Sequence, residues 1–123
     1  DTVYGVWKYF TVWEEQMNLE RESYCLIGTL EAWNAMCQYF GREKMVPVYI
    51  EVEDGTRLIR AVERERTQEH PGYEELCRRF LADAKDFSEE NLKNAGITRQ
   101  FENKDMNACL EEIKLFIQKA ILI

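Results

Sequence analysis

Much of the common catalytic vocabulary is missing from this chain. It has one histidine, His70, in a polar turn before Pro71, so no histidine-built metal centre can be assembled. None of its six glycines begins a Gly-Lys-Ser or Gly-Lys-Thr sequence, which removes the phosphate-cradling P-loop. No nucleophile elbow is present. No apolar run approaches the roughly 18 residues that a membrane span requires, and no cationic, apolar leader occupies the start. The four cysteines stand at positions 25, 37, 77 and 109, too far apart for a short-spaced zinc or redox pair. Their apolar neighbours, as in Tyr24-Cys25-Leu26, imply reduced, buried, structural thiols and a cytoplasmic location. A formal charge of -7 denies the chain the basic surface that nonspecific nucleic-acid binding needs.

What is present reads as one domain over residues 1–123, with 46% apolar and 32% charged residues. β-Branched and aromatic residues mark strands at 3–13 (VYGVWKYFTVW), 23–28 (SYCLIG), 46–52 (VPVYIEV) and 97–102 (ITRQFE). Pro47 belongs near the start or on the edge of its strand. Helical spacing joins Leu30, Trp33, Met36, Cys37 and Phe40, with Gly41 as the stop. Asp54 predicts the N-cap of a helix that buries Leu58, Ala61, Val62 and Ile59. Pro71 and Gly72 break that helix, and Tyr73, Leu76, Cys77, Phe80, Leu81 and Ala84 form the inward stripe of the next. Ser88 opens a short helix that Gly96 closes. Asn103 or Asp105 caps a last helix with Met106, Cys109, Leu110, Ile113, Phe116, Ile117 and Ala120 inward. Strands alternating with helices predict an α/β fold with a parallel sheet built from crossover units.

An acidic chain nevertheless places six of its nine arginines between residues 57 and 79. Arg57, Arg60 and Arg64 share one helix face by their spacing, and Arg78 and Arg79 stand on the next helix. Guanidinium matches phosphate by bidentate hydrogen bonds, so two arginine-bearing helices joined by a breaker loop suit a phosphate-binding flap. Interleaved Glu63, Glu65, Glu74 and Glu75 allow a plainer reading, ion pairs on a solvated face of an unrelated α/β domain.

The order of these features resembles the C-terminal part of guanylate kinase, the P-loop enzyme that transfers a phosphoryl group from ATP to GMP. VYGVWKYFT is similar to the family's glycine-tyrosine-tyrosine segment, which implies that Tyr9 meets the GMP phosphate and Thr11 the guanine. VYIEVEDGTRLIRAVERER is similar to the family's strand, turn and lid helix, which implies that Arg60 and Arg64 act on the transferring phosphates. Arg79 in CRRFLA matches the arginine opening the second lid helix. FENKDM resembles the strand-end segment whose asparagine lies against adenine, here Asn103. The resemblance implies a partial P-loop kinase-like three-layer parallel sheet with flanking helices. Residues 1–22 would be a β-rich remnant of the GMP-binding subdomain, and residues 57–84 the lid. It also implies ATP and Mg2+ as cofactors, and GMP and ATP as small-molecule partners.

The chain departs from that family where two aspartates one residue apart follow the central strand. Ile27 and Thr29 stand there, weakening Mg2+ placement and guanine selection. The start DTVYGVWKYF, without methionine, reads as a cut inside a longer polypeptide, with processing as the alternative. The P-loop lysine would then lie before Asp1, and the chain alone would be inactive. A sheet cut in this way predicts an exposed edge and a homodimer through it. A catalytically degenerate module, recognising a protein or sensing a nucleotide, is the other function these departures allow.

Overall fold

The computed structural model describes residues 22–121 together with Leu19. The strand expected at 3–13, and with it Tyr9 and Thr11, lies outside the described residues. Five helices surround two short strands. In chain order these are α1 (Leu30–Phe40), β1 (Tyr49–Glu51), α2 (Asp54–Arg66), α3 (Tyr73–Asp86), α4 (Glu89–Asn94), β2 (Gln100–Glu102) and α5 (Met106–Ile121). β1 and β2 run parallel, with Ile50 opposite Phe101, and three helices fill the crossover between them. The described residues therefore form an α/β arrangement dominated by helix.

The helix ends follow local chemistry. Thr29 caps α1 by accepting from the Ala32 amide at 3.1 Å, and Gly41 ends it. Gly41 sits at φ 95°, ψ 139°, a conformation that L side chains rarely adopt, while its N–H donates to Cys37 O at 3.0 Å. Ser88 caps α4 through the Asn91 amide at 3.2 Å, and Asp105 caps α5 through the Ala108 amide at 3.2 Å.

Alternation along the strands puts successive residues on opposite faces. Phe101 is fully buried and packs with Cys109, Ile113, Phe116 and Ile117 of α5 and with Val48. Its ring meets Phe116 edge-on, with centroids 5.3 Å apart. Tyr49, one residue out of phase with Ile50, joins the second cluster, where Leu30 and Trp33 of α1 meet Leu92 and Ile97. Tyr49 also stacks on Phe87 at 5.7 Å. The Trp33 indole donates to Ala95 O at 2.9 Å, which ties α1 to the end of α4.

The structure corrects several expectations. Residues 23–28 form no strand among the described residues, and Ile27 is fully exposed. Apolar, β-branched composition favours a strand only where a neighbour offers a ladder. The strand at 46–52 shortens to Tyr49–Glu51, after Pro47, which has no N–H to donate. Its counterpart at 97–102 shortens to Gln100–Glu102. On α3 only Leu76 is buried and Phe80 partly so, while Tyr73, Cys77, Leu81 and Ala84 face solvent. Ile59 on α2 is exposed, as are Met106 and Leu110 on α5. An amphipathic stripe marks a wider arc than a helix with few neighbours can cover, and of these elements α3 contacts α2 most extensively. The cysteines divide: Cys109 is buried and Cys37 half-buried, but Cys25 and Cys77 are exposed, and all four are free thiols. Among the described residues no helix is long and apolar enough to cross a membrane.

Candidate functional site

Parallel strands end together, and their carboxyl ends leave a crevice where the chain turns into the next element. Here β1 runs through Val52 and Glu53 into α2, while β2 runs through Asn103 and Lys104 into α5. The Asn103 amide donates to Glu51 O at 2.8 Å, carrying the ladder one residue beyond β2. Val52, Glu53, Thr56, Arg60, Glu102, Asn103 and Lys104 line an open cleft of about 500 Å³ at this edge.

Glu53 shapes one wall. The helix N-cap is Glu53, not Asp54 as the sequence suggests, and its carboxylate accepts from the Gly55 amide at 2.9 Å and the Thr56 amide at 2.8 Å. The Thr56 hydroxyl adds a third bond at 3.0 Å. The longer glutamate side chain folds back over the turn, leaving Asp54 in the first helical turn beside Arg57, 3.5 Å away. Bonds to the Gly55 and Thr56 amides hold the Glu53 carboxyl below the usual carboxylate range. A group whose folded pKa is lowered stabilises the fold above its unfolded value and loses that effect as pH falls through the folded one. The N-terminal turn of α2 is therefore expected to loosen as pH drops below the ordinary glutamate range. Hydrogen exchange at Gly55 and Thr56 across that window measures it, and Glu53→Gln should flatten the response.

Arg60 forms the opposite wall. Its guanidinium donates to Asn103 O at 3.1 Å and to Lys104 O at 3.2 Å, joining residues 43 and 44 positions apart. The side-chain Oδ1 of Asn103 is buried and has no hydrogen-bond partner among the described residues. A buried acceptor without a donor is costly. Lys104 reaches Glu102 at 3.7 Å on the exposed rim.

The remaining arginines divide between the two readings. Arg57 lies over the Phe80 ring at 3.9 Å and faces Asp54, so it fastens α2 to α3. Arg78 pairs with Glu75 at 2.7 Å, which lowers the Glu75 pKa through its hydrogen bond. Arg79 reaches Glu65 at 3.9 Å, a long contact with the arginine exposed and the glutamate half-buried. Glu65 also accepts from the Gly72 amide at 2.8 Å, bracing the turn between the helices. The Arg64 side chain is exposed and makes no hydrogen bond or ion pair with another described residue. Of the site residues expected from sequence, Arg60 and Asn103 meet at the cleft, and Arg64 and Arg79 stand on the two helices of the adjoining hairpin.

Ile27 and Thr29 contribute no carboxylate. Ile27 faces solvent, and the Thr29 hydroxyl is occupied by the α1 cap. Among the described residues no group of three histidine, cysteine, aspartate or glutamate side chains gathers to hold a metal ion. Sequence reasoning missed Glu53, Thr56 and Lys104. The acidic pair before a Gly-Thr turn signals a cap, but it does not say which acid takes the role.

Comparison with protein-family models, characterised proteins and solved structures returns no match for this chain.

Proposed function

We propose that the strand-end cleft binds an adenine nucleotide, and that the chain is the lid and adenine side of a guanylate kinase-like P-loop kinase. The observation that carries this reading is the meeting of Arg60 and Asn103. They come from segments far apart in sequence, yet share the cleft at the carboxyl ends of two parallel strands. Asn103 Oδ1 is an acceptor without a donor, and the adenine amino group is a donor of matching kind. Arg60 then stands on the phosphate side, with Arg64 and Arg79 on the hairpin as further cations. Tyr9 and Thr11 would take GMP in the same reading.

These residues orient a nucleotide and neutralise charge on its phosphates, which is most of what phosphoryl transfer asks of a protein. The P-loop lysine is not among the 123 residues, so transfer from ATP to GMP is not expected of this chain alone. Calorimetric titration tests the reading. ATP should bind the chain, and Arg60→Ala should weaken it by about 10- to 100-fold, the value of a charged hydrogen bond. Equal ATP affinity in Arg60→Ala and the parent chain would contradict it.

A second reading is favoured by Thr29 and Ile27, which give the site no acid. A kinase-derived module without catalysis would keep the cleft as a sensor or as a protein-binding surface. Saturable peptide or protein binding that millimolar nucleotide leaves unchanged would support a protein-binding role.

A further inference from the structure

The cation best placed to meet a ligand in the cleft is already engaged. Arg60 donates to two backbone carbonyls, Asn103 O and Lys104 O, at 3.1 and 3.2 Å. The Oδ1 atom of that same Asn103 is buried without a partner. The site therefore combines a satisfied clasp with an unsatisfied acceptor on one of the two residues that it clasps. Leaving such an acceptor unpaired is unfavourable, so other contacts of the fold must offset its cost. Among the described residues, Arg60 is the one side chain of α2 that hydrogen-bonds to the β2–α5 turn.

We infer that Arg60 is an autoinhibitory latch that fastens α2 to the β2–α5 turn and keeps Asn103 Oδ1 closed off until an anionic ligand draws the guanidinium away. This inference rests on the nucleotide reading of the cleft and adds how the cleft is regulated. A phosphate group competes for the guanidinium because a charged acceptor outbids a neutral carbonyl. Releasing the clasp frees the 103–104 segment to turn and offers Asn103 Oδ1 to a donor on the ligand. The two halves of one ligand then act in sequence, the phosphates opening what the base requires. A ligand with a base but no phosphate must wait for the latch to open unaided, and its apparent affinity falls by the fraction of chains that are open.

Adenosine and hydrogen exchange together test the latch. Adenosine carries no phosphate, so the role of Arg60 as a phosphate ligand drops out of the comparison. Arg60→Ala should bind adenosine about three- to tenfold more tightly than the parent chain while binding ATP more weakly. Arg60→Lys, whose compact ammonium lacks the planar two-nitrogen fork that reaches both carbonyls, should fall between them. Amides of residues 103–108 should exchange faster in Arg60→Ala at equal global stability. Adenosine affinity that is equal or lower in Arg60→Ala overturns the latch, as does unchanged exchange at those amides. Failure of adenosine and ATP to bind any of the three chains overturns the nucleotide reading itself, and the exchange comparison then still decides whether Arg60 fastens the turn.

Discussion

Phe101→Ala is expected to destabilise the chain by about 3–5 kcal/mol, the range for truncating a buried phenylalanine. Phe101 has no exposed surface, and it is the centre of the cluster that joins the sheet to α5. Its ring touches the Phe116 ring, and the Arg99 guanidinium lies 4.6 Å from its centroid. Removing the ring leaves a cavity that both elements border, and β2 then keeps its ladder to β1 but loses its anchor on α5. Native domains are stable by only about 5–15 kcal/mol, so a loss of this size removes a large share of the total. Urea unfolding followed by tryptophan fluorescence and circular dichroism measures the change. A loss below about 1 kcal/mol would mean that α5 is not anchored as described.

Trp33→Ala is the second substitution with a large expected effect, again about 3–5 kcal/mol. Trp33 is buried in the cluster on the other face of the sheet, where α1 meets Leu92 and Ile97. It also donates to Ala95 O at 2.9 Å and lies under the Arg42 guanidinium at 5.0 Å. Trp33→Phe separates these contributions. It keeps an aromatic ring but removes the indole N–H, and should cost about 1–3 kcal/mol through the hydrogen bond and the lost volume. The two unfolding curves, compared at the same temperature, give the split. If Trp33→Phe proves as harmful as Trp33→Ala, the hydrogen bond and not the packing dominates at this position.

The elements legible from sequence are those set by local chemistry. Gly41, Ser88, Gly96 and Asp105 announce helix ends because a cap involves only residues within one turn. The helices over 30–40, 54–66 and 73–86 follow from their apolar spacing. What a segment meets at long range is not written locally. Residues 23–28 have strand composition, but a strand exists only through its partner, and none pairs with them among the described residues. Tyr73, Cys77 and Leu81 share a stripe with Leu76 and Phe80, yet only the latter two turn away from solvent, because stripe width does not reveal how many neighbours a helix has. The choice between Glu53 and Asp54 as cap depends on how a side chain folds back, which composition does not fix.

The candidate site shows the same division. Arginines spaced along α2 are visible in the sequence, and their capacity for phosphate follows from guanidinium chemistry. That Arg57 would instead stack on Phe80, and that Arg60 would reach the β2–α5 turn, depends on contacts across 23 and 43 positions and emerges only in the fold. The unpartnered oxygen of Asn103 is likewise a property of its surroundings.

The most direct test of the proposed cleft is an amide chemical-shift titration of the chain with ATP, repeated with GMP. Saturable ATP shifts confined to residues 52–60 and 100–105 are the result this account expects. Shifts elsewhere, or none at millimolar ATP, would contradict an adenine-nucleotide site at the ends of β1 and β2.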